Sequence, residues 1–401
     1  MNSNRVPRVA IIGTTGLPAR YGGFETLAHH MVDQLKDNFQ FTVYCSDKYF
    51  ARRGKRKNYY NGAHLKYLPF NANGYQSIIY DIFSMIHAIR HSDVLIVLGV
   101  SGAILFPLLR LISSKPIIVN IDGQEWRRPK WNRFVSAFLK FSEACAVKFA
   151  HEVIGDNEKI VTYIKQEYGR ENTQLIEYGA DHTRKVAIDD RARLAYPFIN
   201  KPYAFSVCRI EPENNIHIIL DAFAETSSET LVMVGLWNHC NYGMDLKEYY
   251  SRFENIYLLD PIYDQDKLDV LRSNAALYLH GHSAGGTNPS LVEAMYLGLP
   301  VFAFDVDFNR VTTENAAHYF VSADELVAML KGIDSDELQE TGRKLSDIAH
   351  RRYTWKNIAG AYYNCISYHT NDAVRSLEAS LKNQAVDHVK VELPNLEKND
   401  K

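Results

Sequence analysis

The chain has 401 residues, 46% of them hydrophobic and 23% charged, a composition that supports a sizeable core spread over two or three domains. A formal net charge of −2 provides no global basic field, which excludes nucleic-acid binding driven by overall charge. The five cysteines are scattered with no CxxC or metal-ligand spacing, so they read as reduced cytosolic thiols rather than a disulfide frame or a metal site.

Met1 to Arg8 is short and polar, with no signal-peptide core. Arg8 to Gly13 is an apolar run that fits a buried parallel strand. A loop containing Gly16, Gly22 and Gly23 follows, and then Phe24, Leu27, Ala28, Met31, Val32 and Leu35 recur at helical spacing. Strand, glycine loop and amphipathic helix make a doubly wound βα unit, whose ligands sit at the carboxyl ends of the strands. The glycine spacing is not GxGxxG, and no acidic residue closes a second strand at the usual place, which disfavours a dehydrogenase.

Further strands are expected at 41–45, 65–68, 94–98 and 116–121, with helical segments between them. The longest apolar run, Val94 to Leu109, is under 18 residues and contains Gly99, Gly102 and Pro107. It reads as a strand running into a helix, not as a membrane span. After Ile121 comes Asp122-Gly123-Gln124-Glu125-Trp126-Arg127-Arg128, then a helix over 132–149. The alternation restarts at Tyr203, after a charged stretch, with strands near 203–207, 231–234, 256–258, 276–279 and 301–303. The expected fold is therefore α/β, with two facing Rossmann-like domains, each built on a mainly parallel sheet.

The most informative stretch is Gly281 to Pro300. It follows a strand-like run and opens a short helix with Asn288 as N-cap, Pro289 as first helical residue and Gly298 as terminator. Gly285 and Gly286 permit close backbone approach to a ligand, and the free amides behind them can seat a phosphate. Glu293, about one turn in, can accept hydrogen bonds from sugar hydroxyls; the plain alternative is a solvated glutamate.

Five ordered landmarks resemble the family-4 retaining glycosyltransferases of GT-B fold. They are Tyr21-Gly22-Gly23-Phe24-Glu25, Tyr178-Gly179-Ala180-Asp181, Arg209-Ile210-Glu211-Pro212-Glu213-Asn214-Asn215, the helix carrying Glu293-Ala294-Met295, and Trp355. The stretches Gly-Leu-Pro-Ala-Arg-Tyr-Gly-Gly-Phe-Glu, Asp-Gly-Gln-Glu-Trp-Arg-Arg, Arg-Ile-Glu-Pro-Glu-Asn-Asn and Gly-Gly-Thr-Asn-Pro-Ser-Leu-Val-Glu-Ala further resemble a bacterial rhamnosyltransferase subgroup of capsule and surface-polysaccharide assembly. Two departures stand out: the family's first glutamate aligns with Gly285, and its lysine after the arginine aligns with Asn214.

The resemblance implies an acceptor-side domain over 1–185, a linker at 186–202 and a nucleotide-sugar domain over 203–352. Late helices at 353–370 would return to the first domain, and 371–401 would be a polar, partly disordered tail. Arg209 would neutralise the donor diphosphate, or else pair on the surface with Glu211 or Glu213. Glu293 would bind the nucleotide's sugar hydroxyls. Gly22 and Gly23 would bring backbone amides to the diphosphate, or form an ordinary turn. Arg20 is a candidate replacement for the missing lysine. Gly285, Gly286, Thr287 and Asn288 would touch the transferred sugar. Asp122 would act beside the donor sugar, or merely start a helix; Glu125 is its rival, and Trp126 and Arg127 are further acceptor-side candidates. His280 and His282 flank the donor loop as satisfied or solvated side chains.

No metal and no cofactor are expected. The implied donor is dTDP-rhamnose, and the implied acceptor is a polyprenyl-diphosphate-linked saccharide at the inner face of the cytoplasmic membrane. Arg127, Arg128 and Lys130, with Phe134, Phe138 and Phe141 on one helix face, are a candidate anionic-membrane surface; the alternative is that the aromatics pack in the core. Arg52, Arg53, Lys55, Arg56 and Lys57 form a second basic cluster. The alternative functions are a non-catalytic sugar-nucleotide-binding protein, a transferase using a UDP-hexose, or a sugar-nucleotide epimerase.

Overall fold

The computed structural model describes residues 5–19, 22–51, 56–121, 123–128, 131–332 and 334–371. Asp122, Arg20, Lys130, Arg52, Arg53, Lys55 and the proposed tail from 372 onward lie outside the described residues.

The first half alternates strand and helix: β1 (Arg8–Ile12), α1 (Gly23–Leu35), β2 (Gln40–Ser46), α2 (Asp47–Ala51), β3 (Tyr59–Tyr60) and β4 (Ala63–Leu68). It continues with α3 (Gln76–His91), β5 (Val94–Leu98), α4 (Phe106–Ile112), β6 (Ile117–Ile121), α5 (Arg133–Phe149), β7 (Glu152–Gly155), α6 (Glu158–Tyr168) and β8 (Thr173–Leu175). These strands form an eight-stranded sheet in the order β3-β4-β2-β1-β5-β6-β7-β8, parallel except for the β3–β4 pair. Alternation along β1 explains its double burial. Val9 and Ile11 face the layer containing α1, while Ala10 and Ile12 face the layer of α3, α4, α5 and α6.

The second half runs α7 (Asp190–Ala195), β9 (Ala204–Val207), α8 (Ile216–Glu225), β10 (Leu231–Val234), α9 (Asn241–Tyr250), β11 (Ile256–Leu259) and α10 (Gln265–Ser273). Then come β12 (Leu277–His280), α11 (Pro289–Tyr296), β13 (Val301–Phe304), α12 (Asp307–Thr312), β14 (His318–Phe320), α13 (Ala323–Gly332), α14 (Ser335–Arg352) and α15 (Trp355–Thr370). Its six strands pair in parallel in the order β11-β10-β9-β12-β13-β14. The chain is thus an α/β protein with two mainly parallel sheets.

Several local expectations sharpen. Asn132 caps α5, accepting from the Phe134 and Val135 amides at 3.0 Å. Asn288 caps α11, with Pro289 opening it and Gly298 beyond its end at φ +79°. The charged stretch near 182–202 contains α7, capped by Asp189. β3 and β14 were not anticipated; two or three residues are too few to display a period.

The chain then returns to the first sheet. α15 packs on α1, and Tyr362 receives a 2.7 Å hydrogen bond from Asn120 at the end of β6. Tyr178 to Asp181 seats this return. The Trp355 amide donates to Asp181 at 2.7 Å, and a Cβ on Gly179 would lie 2.5 Å from the Trp355 indole. No described helix is long and apolar enough to cross a membrane.

Candidate active site

The carboxyl ends of the two sheets face each other, and glycines let their loops meet. A Cβ on Gly23 would lie 3.2 Å from Pro289, and one on Gly123 would lie 3.2 Å from Gly285. Gly22 precedes α1 at φ +89°, a backbone conformation that glycine tolerates, and no side chain caps the helix. The first turn of α1 therefore presents its amides beside the opening of α11.

Arg209 follows β9 and is exposed. Its loop is braced from within: Asn214 Nδ2 donates to the Arg209 carbonyl at 2.7 Å, and Asn215 Nδ2 donates to the Gly281 carbonyl at 2.9 Å. Asn214 is buried and turned into this brace rather than toward the cleft. Ser283 ties the donor loop to the same turn, its amide and hydroxyl both donating to the Glu213 carbonyl, at 2.9 and 2.8 Å.

Glu293 is buried, and both of its oxygens are engaged. Arg272 Nη2 lies 2.6 Å from Oε2, and His182 Nε2 lies 3.1 Å from Oε1. Trp355 Nε1 donates to His182 Nδ1 at 3.0 Å. That bond makes Nδ1 the acceptor, leaving Nε2–H to donate to Glu293. His30 of α1 stacks on Trp355 at 4.2 Å, so the network spans both halves of the chain. Burial works against the charge of Glu293, but Arg272 and His182 outweigh it and hold its pKa below the usual carboxylate range. A carboxylate has about four acceptor positions, so this pairing leaves capacity for ligand hydroxyls.

The donor loop divides into open and occupied positions. Gly285, at φ +123°, has open space where a Cβ would sit. Gly286 lies against Asp156, whose Oδ1 would be 1.8 Å from an added Cβ. Thr287 is buried and accepts from Asn157 Nδ2 at 3.4 Å, while the Asn288 side chain is taken up in capping α11. The two glycines thus supply backbone surface to the cleft, and Thr287 and Asn288 hold the loop in place.

Across the cleft, Glu125 accepts from Trp131 Nε1 at 3.1 Å and pairs with Arg128 at 2.5 Å. Arg128 is 10% exposed and lies 3.7 Å from Glu213 and 3.9 Å from Glu211. It is therefore a cleft residue bridging the two domains, not part of an outward basic patch. Trp126 Nε1 donates to Tyr163 at 3.3 Å, and Arg127 stacks over the Trp126 ring at 4.9 Å. Burial and Glu211 push the Glu213 carboxyl up, against Arg128.

Two cleft features were not assigned roles from sequence. Glu25, in the first turn of α1, is buried and accepts from the Thr15 amide at 2.6 Å. Burial pushes its pKa up, against the Thr15 amide and the Arg209 charge. An acidic residue directly after a glycine loop was the available signal. His280 and His282 stack at 4.4 Å beneath the donor loop, and both His280 nitrogens and His282 Nδ1 have no protein hydrogen-bond partner. Burial lowers His280 to about 3 and, with His280, Arg209 and Arg128, holds His282 well down, so both rings are neutral at physiological pH. His280 is thus neither satisfied nor solvated, while His282 is left unpartnered at Nδ1 alone.

Among the described residues one group of possible metal ligands stands together: Glu152, Cys365 and His369. It lies at the amino end of β7, away from the cleft. All five cysteines are free thiols.

Residues 195–349 match the family described as glycosyl transferases group 1, and residues 6–181 match a domain of unknown function, DUF1972. No curated protein matches the chain. Among solved structures, a sucrose-phosphate synthase from Thermosynechococcus elongatus superposes with a TM-score of 0.77 at 17% identity, covering 93% of this chain and all of that one. HepE from Anabaena, solved in complex with UDP-glucose, gives 0.68 at 16% identity, covering 90% and 99%. A glycosyltransferase from Rickettsia africae gives 0.65 at 12% identity, covering 92% and 100%. Fold and matched domain together define what the chain carries: the two-sheet GT-B architecture of these structures, with a second half that matches glycosyl transferases group 1.

Proposed function

We propose that this protein is a retaining glycosyltransferase that moves L-rhamnose from dTDP-rhamnose to a polyprenyl-diphosphate-linked saccharide, in bacterial surface-polysaccharide assembly. It would act in the cytoplasm, at the inner face of the membrane. The observation that carries the donor reading is the convergence of Arg209, the Gly285–Gly286 loop and Glu293 at the carboxyl end of the second sheet, closed over by the Gly22–Gly23 turn. That HepE was solved with UDP-glucose supports a nucleotide sugar in this cleft.

In this reading Arg209 is a preorganised cation for the charge that develops on the departing diphosphate. The amides at the start of α1 approach the same phosphates. Glu293 accepts from the free 3′-hydroxyl of the nucleotide's deoxyribose, held in place by Arg272 and His182. The leaving phosphate takes the proton of the acceptor hydroxyl on the face from which it departs, so the anomeric configuration is retained. Asp122 and Glu125 are the acceptor-side candidates; Glu125 already serves Arg128 and Trp131, which favours Asp122 for the chemical role. Rhamnose is favoured by Gly285, which offers open space and no carboxylate to a sugar that lacks the 6-hydroxyl. A buried polar partner left unmatched would cost about 1–3 kcal/mol.

A panel of nucleotide sugars tests the reading, first by thermal shift and then by transfer to a lipid-linked acceptor. dTDP-rhamnose should be preferred. Clear preference for UDP-glucose, UDP-galactose or UDP-N-acetylglucosamine would replace the donor, and binding without turnover across many pairs would make the protein a sugar-nucleotide sensor.

A further inference from the structure

The layer of α3, α4 and α5 covers one face of the first sheet, and its outer side carries exposed apolar side chains among the described residues. On α3, Ile79, Phe83, Ile86 and Arg90 follow one another at helical spacing, and all four are exposed. Neighbouring α4 exposes Leu108, Leu111 and Ile112, with Leu111 84% exposed. On α5, Phe134 is 78% exposed and Phe141 57%, with Phe138 between them half-buried, so the ends of the aromatic stripe point outward rather than into the core. Between α3 and α4 lies an open groove of about 260 Å³, with Ile86 and Ile112 on its walls and Arg90 among its lining.

Charge at the surface of α3, α4 and α5 is mainly positive. Arg90, Arg110, Arg133 and Lys148 are exposed, while these three helices carry only two carboxylates, Asp81 and Glu143, both buried; the exposed Glu167 of neighbouring α6 is paired with Lys140 of α5 at 2.8 Å. Asp81 sits against Gly102, and Glu143 is held by Tyr163 and Tyr168 at 2.6 and 2.7 Å. The exposed face of α3, α4 and α5 therefore combines large apolar side chains with an excess of cations.

The geometry points to the α3–α4–α5 face as the surface that docks on an anionic lipid bilayer. Apolar side chains at this density enter the headgroup boundary, and the cations meet anionic headgroups. A second copy of this chain fits poorly, because a two-fold pairing of this face would bring its cations onto the same cations. The direction of the helices also matters. Each follows a parallel strand, so each begins at the carboxyl edge of the sheet, and a bilayer on this face would lie beside the cleft mouth. The inference deepens the membrane part of the proposed function and rests on it only for the identity of the acceptor. It moves the contact surface from the Arg127–Arg128 loop to the helix layer.

The test is flotation of the full-length protein with vesicles of phosphatidylglycerol and phosphatidylethanolamine, against vesicles of phosphatidylcholine, at low and high salt. Binding to the anionic vesicles at low salt is expected. The triple change Phe83→Glu, Leu111→Glu and Phe141→Glu should lower the bound fraction at least about tenfold, with an unchanged circular dichroism spectrum and an unchanged thermal shift on adding the nucleotide sugar in vesicle-free buffer. No binding of the wild-type protein, or binding that survives the triple change, overturns the proposal. Self-association in sedimentation that the triple change abolishes, without vesicle binding, overturns it in favour of a protein partner. Vesicle binding by a protein that turns over no nucleotide sugar leaves this surface standing and removes the transferase reading instead.

Discussion

His182 Nε2 lies 3.1 Å from Glu293 Oε1, joining the segment that leaves the first sheet to the helix that faces the cleft. The same glutamate neutralises Arg272, which is only 1% exposed. Glu293 is therefore a structural residue as well as a candidate ligand, and its replacement acts on both properties.

Glu293→Ala should leave the Arg272 cation short of its nearest partner, at a cost of about 3 kcal/mol. Glu293→Gln keeps an acceptor and should cost less. Both should lose donor turnover. Thermal melts alongside donor-consumption assays check this; equal melting temperatures for the two variants would show that the network is not what holds Arg272.

Arg209 offers the cleaner separation. It is exposed, and its backbone carbonyl, which a side-chain change leaves in place, braces the loop. Arg209→Ala should lower turnover by about 10²–10³-fold, the usual scale for removing a preorganised stabilising group, with a far smaller effect on the melting temperature than Glu293→Ala. Steady-state kinetics with the best donor would read this directly, and near-normal turnover would remove Arg209 from the site.

Gly286 marks how closely the donor loop approaches the first domain. An added Cβ would lie 1.8 Å from Asp156. Gly286→Ala should displace the loop and reduce transfer severely, whereas Ala at Gly332, a position open to solvent, should not. Comparable activity in the two variants would indicate that the contact is not kept during turnover.

Acid should destabilise the protein through its buried neutral histidines. Burial lowers His280 to about 3 and, with His182 and His29, lowers His30 to about 3, against an ordinary value of 6.5. Because the folded values are depressed, this stability is complete above pH 6.5 and is lost as pH falls toward 3. At pH 5 the loss is about 2 kcal/mol for the fully buried His280. Melting temperatures from pH 8 to pH 5 should fall, and His30→Phe, which keeps the stack on Trp355, should flatten the slope. A flat wild-type profile would contradict the buried neutral state of these rings.

Much of the fold was legible because parallel strands buried on both faces leave continuous apolar runs, as at Val94–Leu98 and Leu231–Val234. Asn288, Pro289 and Gly298 marked α11 by cap chemistry alone. Which side chains are spent on the protein itself was not legible. The sequence shows a glutamate at 293 but not that Arg272 and His182 converge on it from sites 21 and 111 residues away along the chain. Asn214, expected among the donor-binding residues at the position of the family's lysine, braces the loop instead, because the backbone turn, not the side-chain type, decides where its amide points. Arg128 read as part of a surface cluster; its burial depends on Glu125 and on two acids of the opposite domain. The exposed stripe on α3 has the same apolar spacing as a core face, so only the packed structure distinguishes them.

The most direct test of the central claim is an NMR time course of purified protein with dTDP-rhamnose, with and without a lipid-linked saccharide acceptor. The account predicts release of nucleoside diphosphate only when acceptor is present at appreciable rate, and a product whose new bond keeps the anomeric configuration of the donor. An inverted product, conversion of the donor to another nucleotide sugar without acceptor, or no consumption of any nucleotide sugar across the panel would contradict it.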